Sequence, residues 1–137
     1  MNAQQLKDRT QQFAIRIMKM ADALPRTTSG RILADQIIRS ATATAAGYRA
    51  ACRARSRPDW IDKIGRVIEE ADETLLWLEL IEQTNLLPAS RLVALKQEAH
   101  ELTALFTAIH KSSKRLTHTD VPPATIQNQK SQIRNQK

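Results

Sequence analysis

The sequence of 137 residues is long enough for one domain with a single hydrophobic core. Only 4% of its residues are aromatic and 3 are glycine, which favours helices over a β-sheet. The lone cysteine, Cys52, excludes a disulfide framework and a cysteine metal site. No apolar run reaches the roughly 18 residues of a membrane span, and the polar start lacks a signal-peptide core, so we expect a cytoplasmic protein without a membrane partner.

The net charge is +7, and the two signs are segregated along the chain. Residues 26–57 carry seven arginines and one acid, whereas residues 69–82 carry six carboxylates and no base. The net charge favours acidic partners. Two oppositely charged faces on a small chain indicate function by contact, with a polyanion or with copies of the same chain.

Apolar residues at spacings of three and four predict two helices before residue 53. The first ends at Pro25, and the second begins near Thr28 or Ser29, which are both suitable N-caps. Residues 40–47 are all Ser, Ala, Thr or Gly, so a neighbouring helix can approach the second one closely. The predicted core positions are Leu6, Thr10, Phe13, Ile17, Met20 and Leu24, then Leu33, Ile37, Ala41, Ala45, Tyr48 and Cys52.

Two more helices follow. Ser56 as N-cap, Pro58 in the first turn and Asp59 three residues after Ser56 predict the start of the third. Asn85 and Pro88 separate it from the fourth. The predicted core positions are Ile61, Ile64, Ile68, Ala71, Leu75 and Leu78, then Leu92, Leu95, Ala99, Leu102, Phe106 and Ile109.

Connections of a few residues make consecutive helices antiparallel neighbours. We therefore predict an all-α protein, an up-down-up-down antiparallel four-helix bundle over residues 1–113. Residues 114–137 are polar, and Pro122 and Pro123 end any helix there, so we expect a disordered C-terminal tail.

The segment LLWLELI, residues 75–81, is apolar on more than one helix face. Leu76, Trp77 and Leu80 fall outside the core stripe, and a helix with two apolar faces needs two partners. We predict that these three residues form a subunit interface. The alternative is a wide core face covered by a partly buried Trp77.

The sequence lacks the motifs that are typical of catalytic sites. It contains no Glu-x-x-His pair, no glycine-rich phosphate loop and no nucleophile elbow, and its three histidines have no matching ligand set. We therefore expect no enzyme, no metal and no cofactor. The carboxylates of the third helix repel one another unless bases face them, so we predict that Glu70 and Glu73 form structural ion pairs with arginines of helix two or of another subunit.

The arginines of the second helix and the following turn are the candidate functional residues, because the planar guanidinium donates two parallel hydrogen bonds to a phosphate. Arg49, Arg53 and Arg57 fall at i, i+4 and i+8, in one line if the helix continues that far. The alternative for each arginine is a salt bridge to the acids of helix three. The predicted nucleic-acid-binding residues are Arg31, Arg39, Arg49, Arg53, Arg55 and Arg57.

The sequence resembles the four-helix-bundle family of 23S rRNA-intervening-sequence proteins over roughly residues 10–110. The matching residues include Arg16-Ile17, Leu24-Pro25, Arg39-Ser40, Tyr48-Arg49, Arg53-Ala-Arg55-Ser56, Glu69-Glu70-Ala-Asp72-Glu73-Thr74 and Trp77-Leu78. Where the family often has Asn before the tyrosine and an acid shortly after it, this chain has Gly47 and Ala50. Loss of that acid would leave Arg49 or Arg53 freer for a ligand.

The resemblance implies a ring-like homopentamer with no settled biochemical role. Similar bundles are accessory subunits of diversity-generating retroelements, where they bind nucleic acid and a reverse transcriptase. We accordingly expect a non-enzymatic homo-oligomer that binds nucleic acid, RNA more readily than DNA, with a reverse transcriptase as a possible further partner. The alternative function is a protein-interaction scaffold or accessory subunit whose arginines form intersubunit salt bridges.

Overall fold

A computed structural model describes residues 1–115 of the chain. These residues form four α-helices, α1 (Ala3–Ala21), α2 (Thr28–Ala51), α3 (Arg57–Gln83) and α4 (Val93–Arg115), with a short 3-10 helix, Ala89–Arg91, before α4. There is no β-strand in this part of the chain. The all-α prediction is therefore confirmed.

The helices form an antiparallel bundle in chain order. α2 packs against both α1 and α3, and α3 packs against α4. Contacts between α1 and α4 are fewer and include a salt bridge in which Arg9 contacts Glu98 and Glu101, each at 2.8 Å. The hydrogen bonds that Arg9 donates to Glu98 raise the pKa of Arg9 above its usual value. Of the predicted tail, residues 114 and 115 belong to α4 and the others lie outside the described residues.

Side-chain caps fix where the helices begin. The hydroxyl of Thr27 accepts a hydrogen bond from the Gly30 N–H, so the cap of α2 lies one residue before the predicted Thr28. Ser56 caps α3 as predicted, but the carboxylate of Asp59 accepts from the Arg55 N–H, where a capping box would use the N–H of Ser56. Beyond α3, Asn85 adopts the left-handed conformation with φ 58° and turns the chain towards α4.

The predicted stripes form the core, with additions on α3. Most predicted positions are buried, while Leu33, Ala45, Ile61, Ile68 and Ile109 are only half-buried. Because α3 lies between α2 and α4, its buried face is wider than one stripe and also includes Trp60, Val67, Thr74 and Ile81. Trp60 is 2% exposed, and its indole N–H donates to the Ser113 hydroxyl of α4 at 2.8 Å.

Small side chains bring α2 and α3 together. The Thr74 hydroxyl of α3 donates to the buried Ser40 hydroxyl of α2 at 2.7 Å. One turn before the end of α2, a Cβ atom on Gly47 would lie only 3.0 Å from Cγ2 of Val67. This close approach sets the position of the turn between the two helices.

Alanine substitutions at two glycines should have opposite effects on the stability of the fold. An added Cβ at Gly30 would overlap the carbonyl oxygen of Pro25, so Gly30→Ala should lower the free energy of unfolding by about 1–3 kcal/mol. Gly65 is inside α3, where an added Cβ would lie 3.4 Å from the His110 ring. Because alanine favours helix, Gly65→Ala should raise stability by up to about 1 kcal/mol. Urea unfolding of both variants checks this; equal effects would contradict the helix packing described here.

Candidate nucleic-acid interface

The condition for a single line of Arg49, Arg53 and Arg57, a second helix that continues as far as Arg57, is not met. α2 ends at Ala51, and Arg57 is the first residue of α3. The helix cannot continue because Ser56 caps α3 and Pro58 follows in its first turn. The arginines instead surround the turn at residues 52–56.

This turn belongs to one end of the bundle, and α4 ends there too. The Trp60–Ser113 hydrogen bond joins the start of α3 to the end of α4. Residues 49–66 and 110–115, which build this end, include nine basic residues and two acidic ones. We call the following set the basic end: Arg49, Arg53, Arg55, Arg57, Lys111, Lys114 and Arg115.

The bases of this set are available for a ligand. All are exposed except Arg57, which is half-buried, and none forms a salt bridge within residues 1–115. Nη1 of Arg57 is buried and has no hydrogen-bond partner. The exposed guanidinium groups of Arg49, Arg53 and Arg55 therefore present their donors to solvent.

The two acids within residues 49–66 are already paired on their own helix. Asp59 contacts Lys63, and Asp62 contacts Arg66 at 3.3 Å. The hydrogen bond from Lys63, followed by that from the Arg55 N–H, lowers the pKa of Asp59 below its usual value. Asp59 thus stays ionised at neutral pH, held by Lys63 and by the N–H of Arg55.

Sequence reasoning missed the part of the basic end that α4 contributes. Lys111, Lys114 and Arg115 occupy the last two turns of α4 and are exposed. The bases at its C-terminus were visible in the sequence, and the antiparallel topology would have placed them beside the α2–α3 turn. We had assigned residues 114–115 to the tail and so did not connect them with the arginines.

Arg39 is engaged inside the chain. Its guanidinium contacts the carboxylates of Glu70 and Glu73 on α3. Arg39 Nη1 lies 3.2 Å from Glu70 Oε1. This contact is an ion pair and not a hydrogen bond, because Glu70 Oε1 has no hydrogen-bond partner within the described residues. The indole N–H of Trp77 also donates to Glu73, at 3.4 Å. Arg39, although 48% exposed, therefore lies in an ion-pair cluster apart from the basic end.

Arg31 lies at the opposite end of the bundle, in the first turn of α2. Its Nη1 donates to the carbonyl oxygen of Arg26 at 2.8 Å. The structure therefore brings together four of the six predicted arginines and leaves Arg31 and Arg39 apart from them.

The predicted interface residues differ in exposure. Leu76 is 45% exposed, whereas Leu80 is half-buried and Trp77 is half-buried against the core. Leu76 shares its face of α3 with Glu69, Asp72 and Gln83, which are exposed as well. An outward apolar residue among acids thus remains on α3.

Within the described residues, no group of three or more His, Cys, Asp or Glu side chains is arranged to hold a metal ion. None of the helices in residues 1–115 is long and apolar enough to cross a membrane.

Comparison with known proteins places the chain in a family. The sequence profile of the 23S rRNA-intervening sequence proteins matches residues 3–108, which include all of α1 to α3 and most of α4. The chain belongs to this family. The tail lies outside the match, and so do Lys111, Lys114 and Arg115, so the family match alone does not reveal the α4 part of the basic end.

A solved structure of a similar protein supports the same assignment. This 23S rRNA-intervening sequence protein shares 32% sequence identity with a protein of unknown function from Bacteroides thetaiotaomicron, of the S23 ribosomal protein family. The match has a TM-score of 0.72 and covers 77% of this chain and 97% of the other. No curated protein matches the sequence.

Replacing Arg39 should lower the stability of the fold and leave nucleic-acid binding unchanged, because its ion pairs lie apart from the basic end. Because Arg39 and its partners are partly exposed, Arg39→Gln should lower the free energy of unfolding by about 0.5–1 kcal/mol, and added salt should shrink the difference. Arg31→Gln, which removes no salt bridge, is the matched control. Urea unfolding at two salt concentrations measures both effects. A loss of nucleic-acid binding in Arg39→Gln would contradict the separation of this cluster from the basic end.

Proposed function

We propose that this 23S rRNA-intervening sequence protein is a non-enzymatic, ring-like homo-oligomer, a pentamer by analogy with its family, that binds nucleic acid at the basic end. RNA is favoured over DNA by the family's link to 23S rRNA. The observation that carries the proposal is the concentration, where α2, α3 and α4 meet, of exposed arginines and lysines that form no salt bridge within residues 1–115.

Electrostatics supports a polyanion as the ligand. The segments that build the basic end carry a net charge equal to the +7 of the whole chain, so the other segments sum to zero. Phosphates along a backbone match several bases at once, and each one neutralised adds about 0.9 to the salt dependence of binding to a duplex. Several subunits in one ring would repeat the same surface and multiply its contacts.

The ligand would be recognised by its shape and its phosphates. The aromatic residues close to the basic end, Tyr48 and Trp60, are fully buried and cannot stack on a base. No exposed aromatic platform exists at this end within the described residues. Structured RNA, whose backbone presents phosphates at fixed spacing, therefore fits better than a sequence-specific single strand.

A second candidate function is a protein-interaction scaffold, for example an accessory subunit of a reverse transcriptase. The Arg39 cluster favours it, because there an arginine of α2 already binds acids of α3 within one chain. In this alternative, the exposed arginines bind acids of another subunit, and nucleic acid does not bind the basic end.

Paired charge reversals distinguish the two functions. In R55E/K114E, the basic end loses two exposed bases that form no salt bridge in the described chain. Structured RNA should bind at least about tenfold more weakly, with the magnitude of the salt slope lowered by about two. Fluorescence anisotropy across a salt series, with protein freed of co-purified nucleic acid, measures both quantities.

The matched control is R26E/R91E, which changes the charge by the same amount at the opposite end, where both side chains are exposed. It should reduce affinity far less than R55E/K114E, and circular dichroism should show both variants folded. Equal losses in the two variants would assign binding to net charge alone. Absence of RNA binding by the unmodified protein at low salt would leave the scaffold function.

A further inference from the structure

A groove runs between α1 and α2 on the outside of the bundle. It encloses about 580 Å³, and its floor is formed by small and apolar side chains such as Ala14, Ile15, Ala45 and Ala46. Met18, at its edge, is 43% exposed. An apolar concave surface of this kind indicates a contact site for another molecule.

Two arginines give this groove its charge. Arg49 and Arg53 line it and also line the adjoining polar depression beside Lys7. Asp8 is the one acid among the residues that line either cavity. The occupant of the groove should therefore combine apolar side chains with carboxylates.

α3 carries a surface with the complementary properties. Glu69, Asp72 and Leu76 are exposed on one face, spaced by three and four residues. Neither carboxylate forms a salt bridge within the described residues, in contrast to Glu70 and Glu73 on the neighbouring face. We call Glu69, Asp72 and Leu76 the α3 strip.

We propose that the α3 strip of one copy of this chain occupies the α1–α2 groove of the next copy. Leu76 contacts the apolar floor, and Glu69 and Asp72 pair with Arg49 and Arg53. The groove and strip have opposite charge, and each exposes apolar area that the other covers. This inference rests on the proposed homo-oligomer and specifies its interface.

The proposed contact joins two different surfaces of the chain, the α1–α2 groove and the α3 strip. The groove lies on α1 and α2, whereas the strip belongs to α3, which packs against α2 and α4. Each subunit therefore uses its groove for one neighbour and its strip for the other. Such heterologous contacts close into a ring when the rotation between subunits allows it. A dimer with a single contact would leave the groove of one copy and the strip of the other uncovered, and a two-fold dimer would have to form both contacts at once.

In this interface, some bases of the basic end contact a neighbouring subunit and the others bind nucleic acid. Arg49 and Arg53 bind the neighbouring subunit, and the exposed Arg55 and α4 bases, with the half-buried Arg57, stay uncovered at the end of the bundle. Nucleic acid then contacts the second group. Assembly and nucleic-acid binding become separable by mutation.

A charge exchange tests this interface. R49E/R53E puts acids in the groove, and E69R/D72R puts bases on the strip, so each variant should associate about a hundredfold more weakly because like charges face each other. The quadruple variant, with all four changes in one chain, restores opposite charges and should regain the ring. Multi-angle light scattering over a concentration series gives the mass of each variant, and R26E/R91E is the control that should remain assembled.

The masses of the double and quadruple variants decide whether the groove and the strip form the interface. Dissociation of both double variants with recovery in the quadruple variant supports the contact. Intact rings in either double variant, or no recovery in the quadruple variant, overturn it. A monomeric unmodified protein overturns both this interface and the proposed oligomer, whereas the RNA affinity of R55E/K114E tests nucleic-acid binding independently.

Discussion

The close approach of α2 and α3 is the constraint on which the rest of the structure depends. Two turns of small residues, from Ser40 to Gly47, let α3 pack directly on α2, with the Thr74–Ser40 hydrogen bond at the contact. Larger side chains there would separate the helices and break this buried bond. The same packing brings Arg39 within reach of Glu70 and Glu73 and fixes the turn at residues 52–56.

The position of that turn decides what the arginines can do. Since α2 stops at Ala51 and α3 starts at Arg57, the bases on either side of the turn are spread over one end of the bundle. Antiparallel topology then adds the basic C-terminus of α4 to the same end. The acids of residues 69–82 lie further along α3, where Glu70 and Glu73 pair with Arg39, Glu82 pairs with Lys96, and Glu69 and Asp72 are exposed. Charge segregation along the sequence thus becomes segregation in space.

Local signals predicted the fold well because they act over a few residues. Pro25, Ser56 and Asn85 mark helix boundaries through backbone geometry and capping, and the apolar spacing identified most of the core. The burial of Trp60 and Val67 was missed because it depends on α3 having two neighbours, which a single stripe on one helix does not reveal.

The candidate site was harder to predict because it is assembled from separate helices. A single line of Arg49, Arg53 and Arg57 required α2 to continue past Ser56, which the cap at Ser56, itself predicted, excludes. Sequence spacing also could not separate Arg39, which forms salt bridges across the α2–α3 contact, from Arg55, whose side chain forms no salt bridge within the described residues. The α1–α2 groove has no sequence signature, since it arises from which faces of two helices remain uncovered.

The central claim is that nucleic acid binds the end of the bundle where α2, α3 and α4 meet. Photo-crosslinking of structured RNA to the intact protein, followed by mass spectrometry of the crosslinked peptides, tests it most directly. We predict crosslinks in residues 52–57 and 110–115 that disappear as salt is raised. Crosslinks confined to residues 116–137, or to the acidic face of α3, would contradict the account.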